Sequence, residues 1–192
     1  AKPEQTQYTP PMGNSTVSNR SEKVLGMGWN PETDQFKFEY KPSECTKQLT
    51  KRKVLAQVNG IFDPIGLLTP FSVKSKVLMR KLWTDERKLG WDDIIPEHLE
   101  KEWKEFFTDI NNLNQVKFER CVKTMDTIGD PQLIIFSYAS KEAYGAVAYA
   151  RWKCTNDEYK ASLIASKNRV SPIKVTDIVK LELSGAVLGK RL

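Results

Sequence analysis

Gln132-Leu133-Ile134-Ile135-Phe136-Ser137-Tyr138 and Ala143-Tyr144-Gly145-Ala146-Val147-Ala148-Tyr149-Ala150-Arg151-Trp152 are two apolar, β-prone runs separated by a turn at Ala139–Glu142. Short apolar runs bounded by turn signals read as strands. Tyr159 to Ser166 predicts a third strand. After Lys167-Asn168-Arg169-Val170-Ser171-Pro172, a helical pattern begins near Thr176, with Ile178, Leu181, Leu183, Val187 and Leu188 at its apolar positions. Strand, strand, strand, helix is the opening half of an α/β domain.

Upstream, the chain reads differently. Val24-Leu25-Gly26-Met27-Gly28-Trp29 is an apolar run followed by the turn signal Asn30-Pro31-Glu32-Thr33-Asp34. Phe36, Phe38 and Tyr40 then alternate with Lys37 and Glu39, so the segment predicts a β-hairpin. Thr50 is placed to cap a helix with Val54, Leu55, Val58, Ile61 and Phe62 at helical spacing. Asp63-Pro64-Ile65-Gly66 breaks the chain, and Thr69 followed by Pro70 resembles an N-cap with proline at the first helical position. Val73, Val77, Leu78, Leu82 and Trp83 then form one apolar stripe, with Lys74, Lys76, Arg80 and Lys81 outside it. Pro96 opens a third helix that buries Leu99, Trp103, Phe106, Phe107 and Ile110. Residues 1–20, rich in Pro, Gln, Ser, Thr and Asn, read as a flexible leader.

The composition narrows the chemistry. The 192 residues are 40% hydrophobic and 28% charged, as in ordinary globular chains. No apolar run reaches the roughly 18 residues of a membrane span. Cys45, Cys121 and Cys154 lie far apart and His98 is the single histidine, so no zinc-ligand spacing exists. An odd cysteine count argues against a disulfide scaffold, and an intracellular location, cytoplasmic or nuclear, is expected. His98 has no nucleophile near it in the predicted order of elements, and no P-loop or dinucleotide glycine pattern is present. The net charge of +6 divides into blocks: −1 over residues 1–45, +7 over 46–90, −5 over 91–130 and +5 over 131–192. Two readings of the blocks stand: a polyanion touching both basic regions, or solvated helix faces.

Phe136-Ser137-Tyr138-Ala139-Ser140, with Gly145-Ala146 after it, resembles the first-strand motif of retroelement ribonuclease H domains, aromatic-Ser-Asp-Ala-Ser and then Gly-Ala. Lys180-Leu181-Glu182-Leu183, ahead of Gly185-Ala186, is similar to the motif that supplies that domain's metal-binding glutamate. The run Val24 to Asp34 resembles the primer-grip hairpin of a reverse transcriptase palm. Ile61-Phe62-Asp63-Pro64-Ile65-Gly66-Leu67-Leu68-Thr69-Pro70, with Leu89-Gly90-Trp91-Asp92-Asp93, resembles the thumb-to-connection segment of BEL/Pao-type retrotransposon Pol polyproteins. The resemblance covers about residues 22–192.

It implies an α+β chain: a β-hairpin and helical thumb/connection segment, then a truncated RNase H-like mixed α/β domain. The implied division is a leader at 1–20, a primer-grip-like hairpin at 21–48, helical thumb/connection at 49–125 and the N-terminal half of an RNase H-like domain at 126–192. Strand 131–138 is then expected to keep one open edge, with Val147, Leu163 and Ile164 poorly covered. The family hydrolyses the RNA of RNA–DNA hybrids with two Mg²⁺ ions about 3.5–4 Å apart on shared carboxylates. Tyr138 stands at the family's first aspartate, and a phenol titrating near pH ~10 stays neutral at physiological pH. Glu182 matches the family's glutamate. The other acidic residues would lie beyond the position of Leu192. No enzymatic activity is therefore expected; Glu182 is read as a vestigial metal ligand, and no cofactor is expected on this chain. Asp92-Asp93, the single Asp-Asp pair, reads as a helix-entry loop, not as polymerase aspartates.

The resemblance also places residues 50–90 where these polymerases hold template–primer duplex. Lys51, Arg52, Lys53, Lys74, Lys76, Arg80 and Lys81 are the candidate phosphate contacts, without base specificity. The expected partners are an RNA–DNA hybrid or template–primer duplex, bound weakly, and the rest of a Pol polyprotein where one is encoded; no membrane is involved. The leading expectation is a non-catalytic retrotransposon polyprotein fragment with sequence-independent nucleic-acid binding. Two alternatives stay open: a piece of a longer polyprotein active in RNA-directed DNA synthesis and hybrid hydrolysis, and a host-adopted interaction scaffold.

Overall fold

A computed structural model describes residues 22–24, 27–40, 48–174 and 177–192. The predicted leader, Cys45 and Thr176 lie outside the described residues. Strands β1 (Glu22–Val24), β2 (Met27–Asn30) and β3 (Gln35–Lys37) form an antiparallel meander. The Asn30 side chain caps the predicted turn by accepting from the Glu32 amide at 2.9 Å. A strand the sequence reading omitted, β4 (Lys117–Glu119), closes this sheet in the order β1-β2-β3-β4, pairing Phe118 with Phe36.

Three helices pack beneath it. α1 (Lys51–Asn59) starts at Thr50, whose hydroxyl accepts from the Lys53 amide at 3.3 Å. It ends at Gly60, so Ile61 and Phe62 belong to the following loop and not to the helix. α2 (Thr69–Thr84) has proline in its first turn as expected, but Thr69 is not its cap. Leu68 holds that position, and the Asp63 carboxylate accepts from the Leu67 and Leu68 amides, each at 2.8 Å. A carboxylate at a helix start satisfies orphan donors and opposes the positive end of the dipole. α3 (Glu97–Asn111) buries Leu99, Trp103, Phe106 and Ile110 at spacings of four, three and four, and a short 3-10 turn (Asn112–Gln115) leads to β4.

One hydrophobic core joins hairpin to helices: Met27, Phe38 and Tyr40 pack with Val54, Leu78, Leu82, Trp103 and Phe106. Trp83 is a correction to the predicted stripe. It is 47% exposed, and its ring lies edge-on to Trp91. Placing Trp83 on the helix's buried side overlooked that Ser75, Leu78 and Leu82 already fill that side.

The second sheet is longer than predicted. β5 (Thr127–Ala139), β6 (Ala143–Cys154) and β7 (Tyr159–Val170) form an antiparallel sheet in that order, so β5 and β7 are edges. Pro131 sits where the β5–β6 register breaks, between Ile128 and Gln132, a place that tolerates a residue without an amide donor. α4 (Ile178–Lys190) lies across one face of β5 and β6, capped by the Asp177 carboxylate, which accepts from the Val179 amide at 3.2 Å. That face carries Ala146, Ala148 and Ala150, and the helix presents Gly185 and Gly189 to it, so small residues on both sides permit a close approach. α2 packs against β7. Among the described residues β5 pairs on one side, and Leu133, Ile135, Phe136 and Tyr138 are exposed. Leu163 does pack against the helical core. The fold is mixed α+β. Among the described residues no helix is long and apolar enough to cross a membrane.

Candidate metal and nucleic-acid sites

Tyr138 occupies the last turn of β5, one residue before the buried Ala139. α4 crosses β5 at this point. A Cβ on Gly185 would stand 3.4 Å from the Tyr138 carbonyl oxygen and 3.7 Å from Ser137 Cβ. Glu182 lies three residues before Gly185, on the flank of the buried stripe Leu181, Gly185, Leu188. The helix therefore brings Glu182 toward the end of β5. Glu182 is exposed and makes no hydrogen bond or ion pair with a described residue. Tyr138 is 75% exposed. Period-two alternation puts Ser137 and Ile135 toward α4, where Ile135 meets Gly189, and Tyr138 and Phe136 on the opposite face, where Phe136 meets Tyr149. Among the described residues no three His, Cys, Asp or Glu side chains converge into a metal-ligand group.

The seven basic residues do not form one surface. Lys51 is buried; its ammonium donates to the Leu89 carbonyl at 2.6 Å and stands 4.9 Å from the Trp83 ring centre. Arg52 grips Asp92 with two bonds, 2.8 and 3.0 Å, and this guanidinium holds the Asp92 carboxyl below its usual range. Lys53 donates to the Gln48 carbonyl, Lys74 pairs with Asp109 at 3.1 Å and Lys81 with Glu102 at 2.5 Å. Lys76 donates to Asn168 Oδ1 at 2.6 Å, and burial is the main cause that pulls its pKa down. Arg80 donates to the carbonyls of Glu142 and Ser171. Lys76 and Arg80 thereby tie α2 to β7 and to the β5–β6 turn, while the others brace the helical core.

Asp93 accepts from the Gly90 amide at 2.6 Å, so both members of the Asp-Asp pair serve the loop before α3. His98 is exposed on α3. Cys121 is exposed and Cys154 buried, both as free thiols.

The sequence reading missed a second basic group. Arg80, Lys141 and Lys174 line a cavity of about 350 Å³ beside the β5–β6 turn, with Thr84 and Ser171. No local signal announces it, because its three cations come from segments more than thirty residues apart.

No curated protein matches the chain. The family model described as the Pao retrotransposon-like RNaseH-like domain matches residues 50–192, which takes in α1 to α4 and the β5–β7 sheet. That match covers most of the chain and includes the Tyr138 strand and the Glu182 helix, so the chain belongs to the Pao retrotransposon RNase H-like family.

Proposed function

We propose that this chain is part of a retrotransposon Pol polyprotein, that it does not itself hydrolyse RNA–DNA hybrids, and that it holds nucleic acid weakly and without sequence preference. The observation that carries the reading is Tyr138. It stands where the family resemblance calls for an aspartate; its backbone lies against the helix that carries Glu182, while its ring sits on the opposite face of the sheet. Two Mg²⁺ ions need several hard, charged oxygens in octahedral arrangement. A phenol and one exposed carboxylate do not fit that demand. In the polyprotein, residues 22–40 would serve as the primer-grip hairpin and α1 to α3 as thumb and connection, a division that rests on the sequence resemblance; the two parts share one core.

Weak nucleic-acid binding is supported by the charge of +7 over residues 46–90. Several of the pairs there are exposed, for example Arg52–Asp92 at 64% and 72% and Lys74–Asp109 at 49% and 53%. Exposed pairs are worth about 0–1 kcal/mol, so phosphates can compete for their cations. Lys51 is too deeply committed to the fold to take part.

The test incubates the 192-residue chain with an RNA–DNA hybrid and Mg²⁺. No cleavage is expected. Cleavage that Glu182→Gln abolishes would overturn the reading. Hybrid binding, measured alongside, should fall steeply between about 50 and 200 mM salt; a flat response would contradict the electrostatic part. In the longer polyprotein, Tyr138→Asp should restore the missing ligand.

A further inference from the structure

The face of the β5–β7 sheet turned away from α4 is unusual for a surface. Phe136 and Tyr138 are 59% and 75% exposed there, and Phe136 meets Tyr149 edge-on at 6.2 Å between ring centres. The strand register aligns this face: Phe136 opposes Val147, Ile134 opposes Tyr149, and Tyr149 opposes Leu163. Pro70 and Val73 of α2 stand as its side wall, leaving an open groove of about 500 Å³. No Asp or Glu lines the groove. Farther along the same face, Arg151 stacks on the ring of Tyr159 at 3.8 Å.

At the Tyr138 end the groove runs toward the basic cavity of Arg80, Lys141 and Lys174, which also holds no carboxylate. Arg80 donates there to two neutral carbonyls and not to a carboxylate. Val73 and Arg80 are seven residues apart on α2, about 10 Å along the helix axis. Aromatic faces beside a cation group are the pair of features that single-stranded nucleic acid needs: rings for bases, charge for phosphates.

We propose that this face binds single-stranded nucleic acid, with bases stacked in the groove on Phe136, Tyr138 and Tyr149 and backbone phosphates held by Arg80, Lys141 and Lys174. The proposal rests on the reading that the chain binds nucleic acid, and it names a site and a strand state which that reading does not. A duplex keeps its base faces stacked on one another and has none to offer the groove. A double-stranded partner would therefore use only the cations. Tyr138 acquires a role here: replacing a carboxylate by a phenol removes a charge that would repel phosphate and adds a ring for stacking.

The test measures fluorescence anisotropy of labelled oligonucleotides about fifteen nucleotides long with the 192-residue chain. The probes are oligo(dT), oligo(rU), an abasic strand of equal length and a DNA duplex. Either base-bearing single strand, DNA or RNA, should bind about tenfold or more tightly than the abasic strand. The duplex should bind more weakly than the single strands. Tyr138→Ala and Phe136→Ala should each weaken single-strand binding several-fold to tenfold, with duplex binding unchanged, while Tyr138→Phe retains it. Lys141→Gln should lower the salt dependence on every probe by about one phosphate's worth. The substituted side chains are exposed, and an unchanged urea midpoint confirms that each variant folds.

Equal affinity for abasic and base-bearing strands, or no effect of the aromatic substitutions, overturns the stacking site while leaving general nucleic-acid binding intact. Failure of every probe to bind overturns both.

Discussion

Gly66→Ala should unfold the join between the helical half and the β5–β7 sheet far out of proportion to its size. Gly66 has φ +81°, a region that costs a residue with a Cβ about 1–2 kcal/mol. A Cβ there would also overlap the carbonyl oxygen of Ser166 on β7 and stand 2.7 Å from that carbonyl carbon. Neither atom is a side-chain end that can swing away, so loop and strand must separate. Their separation breaks the bond from the Ser166 amide to the Ile65 carbonyl, 2.9 Å, and the one from the Ser166 hydroxyl to the Gly66 carbonyl. At about 0.5–1.5 kcal/mol each, the bonds bring the total to about 2–5 kcal/mol. Native stability is about 5–15 kcal/mol.

Gly129 supplies the control. It has φ +70°, and nothing lies within 4 Å of a Cβ built on it, so Gly129→Ala should cost only the backbone part, about 1–2 kcal/mol. Urea unfolding reads the difference. With a slope of about 2 kcal/mol per molar, a loss of about 3 kcal/mol moves the midpoint down by about 1.5 M. Equal midpoints for the two variants would refute the claim that Gly66 is where the two halves lock together.

Asp63→Ala should cost about 1–2 kcal/mol by leaving the Leu67 and Leu68 amides at the start of α2 without their acceptors, read as a lower urea midpoint that Asp63→Asn restores only in part, because its side chain offers one acceptor oxygen where the carboxylate offers two. Lys51→Met should keep the stem's packing yet lose about 1.5–3 kcal/mol, because the Leu89 carbonyl it removes a donor from is charge-bonded at 2.6 Å; an unchanged melting temperature would sink that reading. Asp126 accepts from Lys160 and from Thr124, each at 2.6 Å, and these bonds lower its carboxyl from 3.8 to about 2. A carboxyl whose pKa is lower in the folded state contributes stability above pH 3.8 that disappears as the pH falls toward 2. Acid titration of Asp126→Asn, followed by circular dichroism, should show a shallower loss over that window than the parent chain.

Much of this architecture could be read from local pattern, because its elements carry local signals. Thr50 and the breaker Asp63-Pro64-Ile65-Gly66 mark helix boundaries through capping chemistry and backbone freedom, and α3 spaces its buried residues at three and four. The failures are nonlocal. β4 is three residues long and joins the sheet only because Phe118 meets Phe36 from across the chain. Ile61 and Phe62 continue a helical spacing past Gly60, where the helix has already stopped. Trp83 has the periodicity of a core residue but finds its partners in the buried Lys51 ammonium and the exposed Trp91 ring. Charge alone is equally silent on geometry. Each of the seven candidate phosphate contacts at residues 51–81 donates to a group of the chain itself, partners that only the fold brings near. The Tyr138 and Glu182 motifs rest on sequence alone; that α4 crosses β5 one turn from Glu182 required the small residues Gly185, Gly189 and Ala146 to be seen packed.

The central claim concerns metal affinity, and a Mn²⁺ titration reads it without depending on product formation. Paramagnetic broadening of amide resonances should show no saturable site around residues 138 and 182 tighter than roughly millimolar, since one carboxylate competes poorly with water for a divalent ion. A saturable sub-millimolar site centred there and lost in Glu182→Gln would contradict the account.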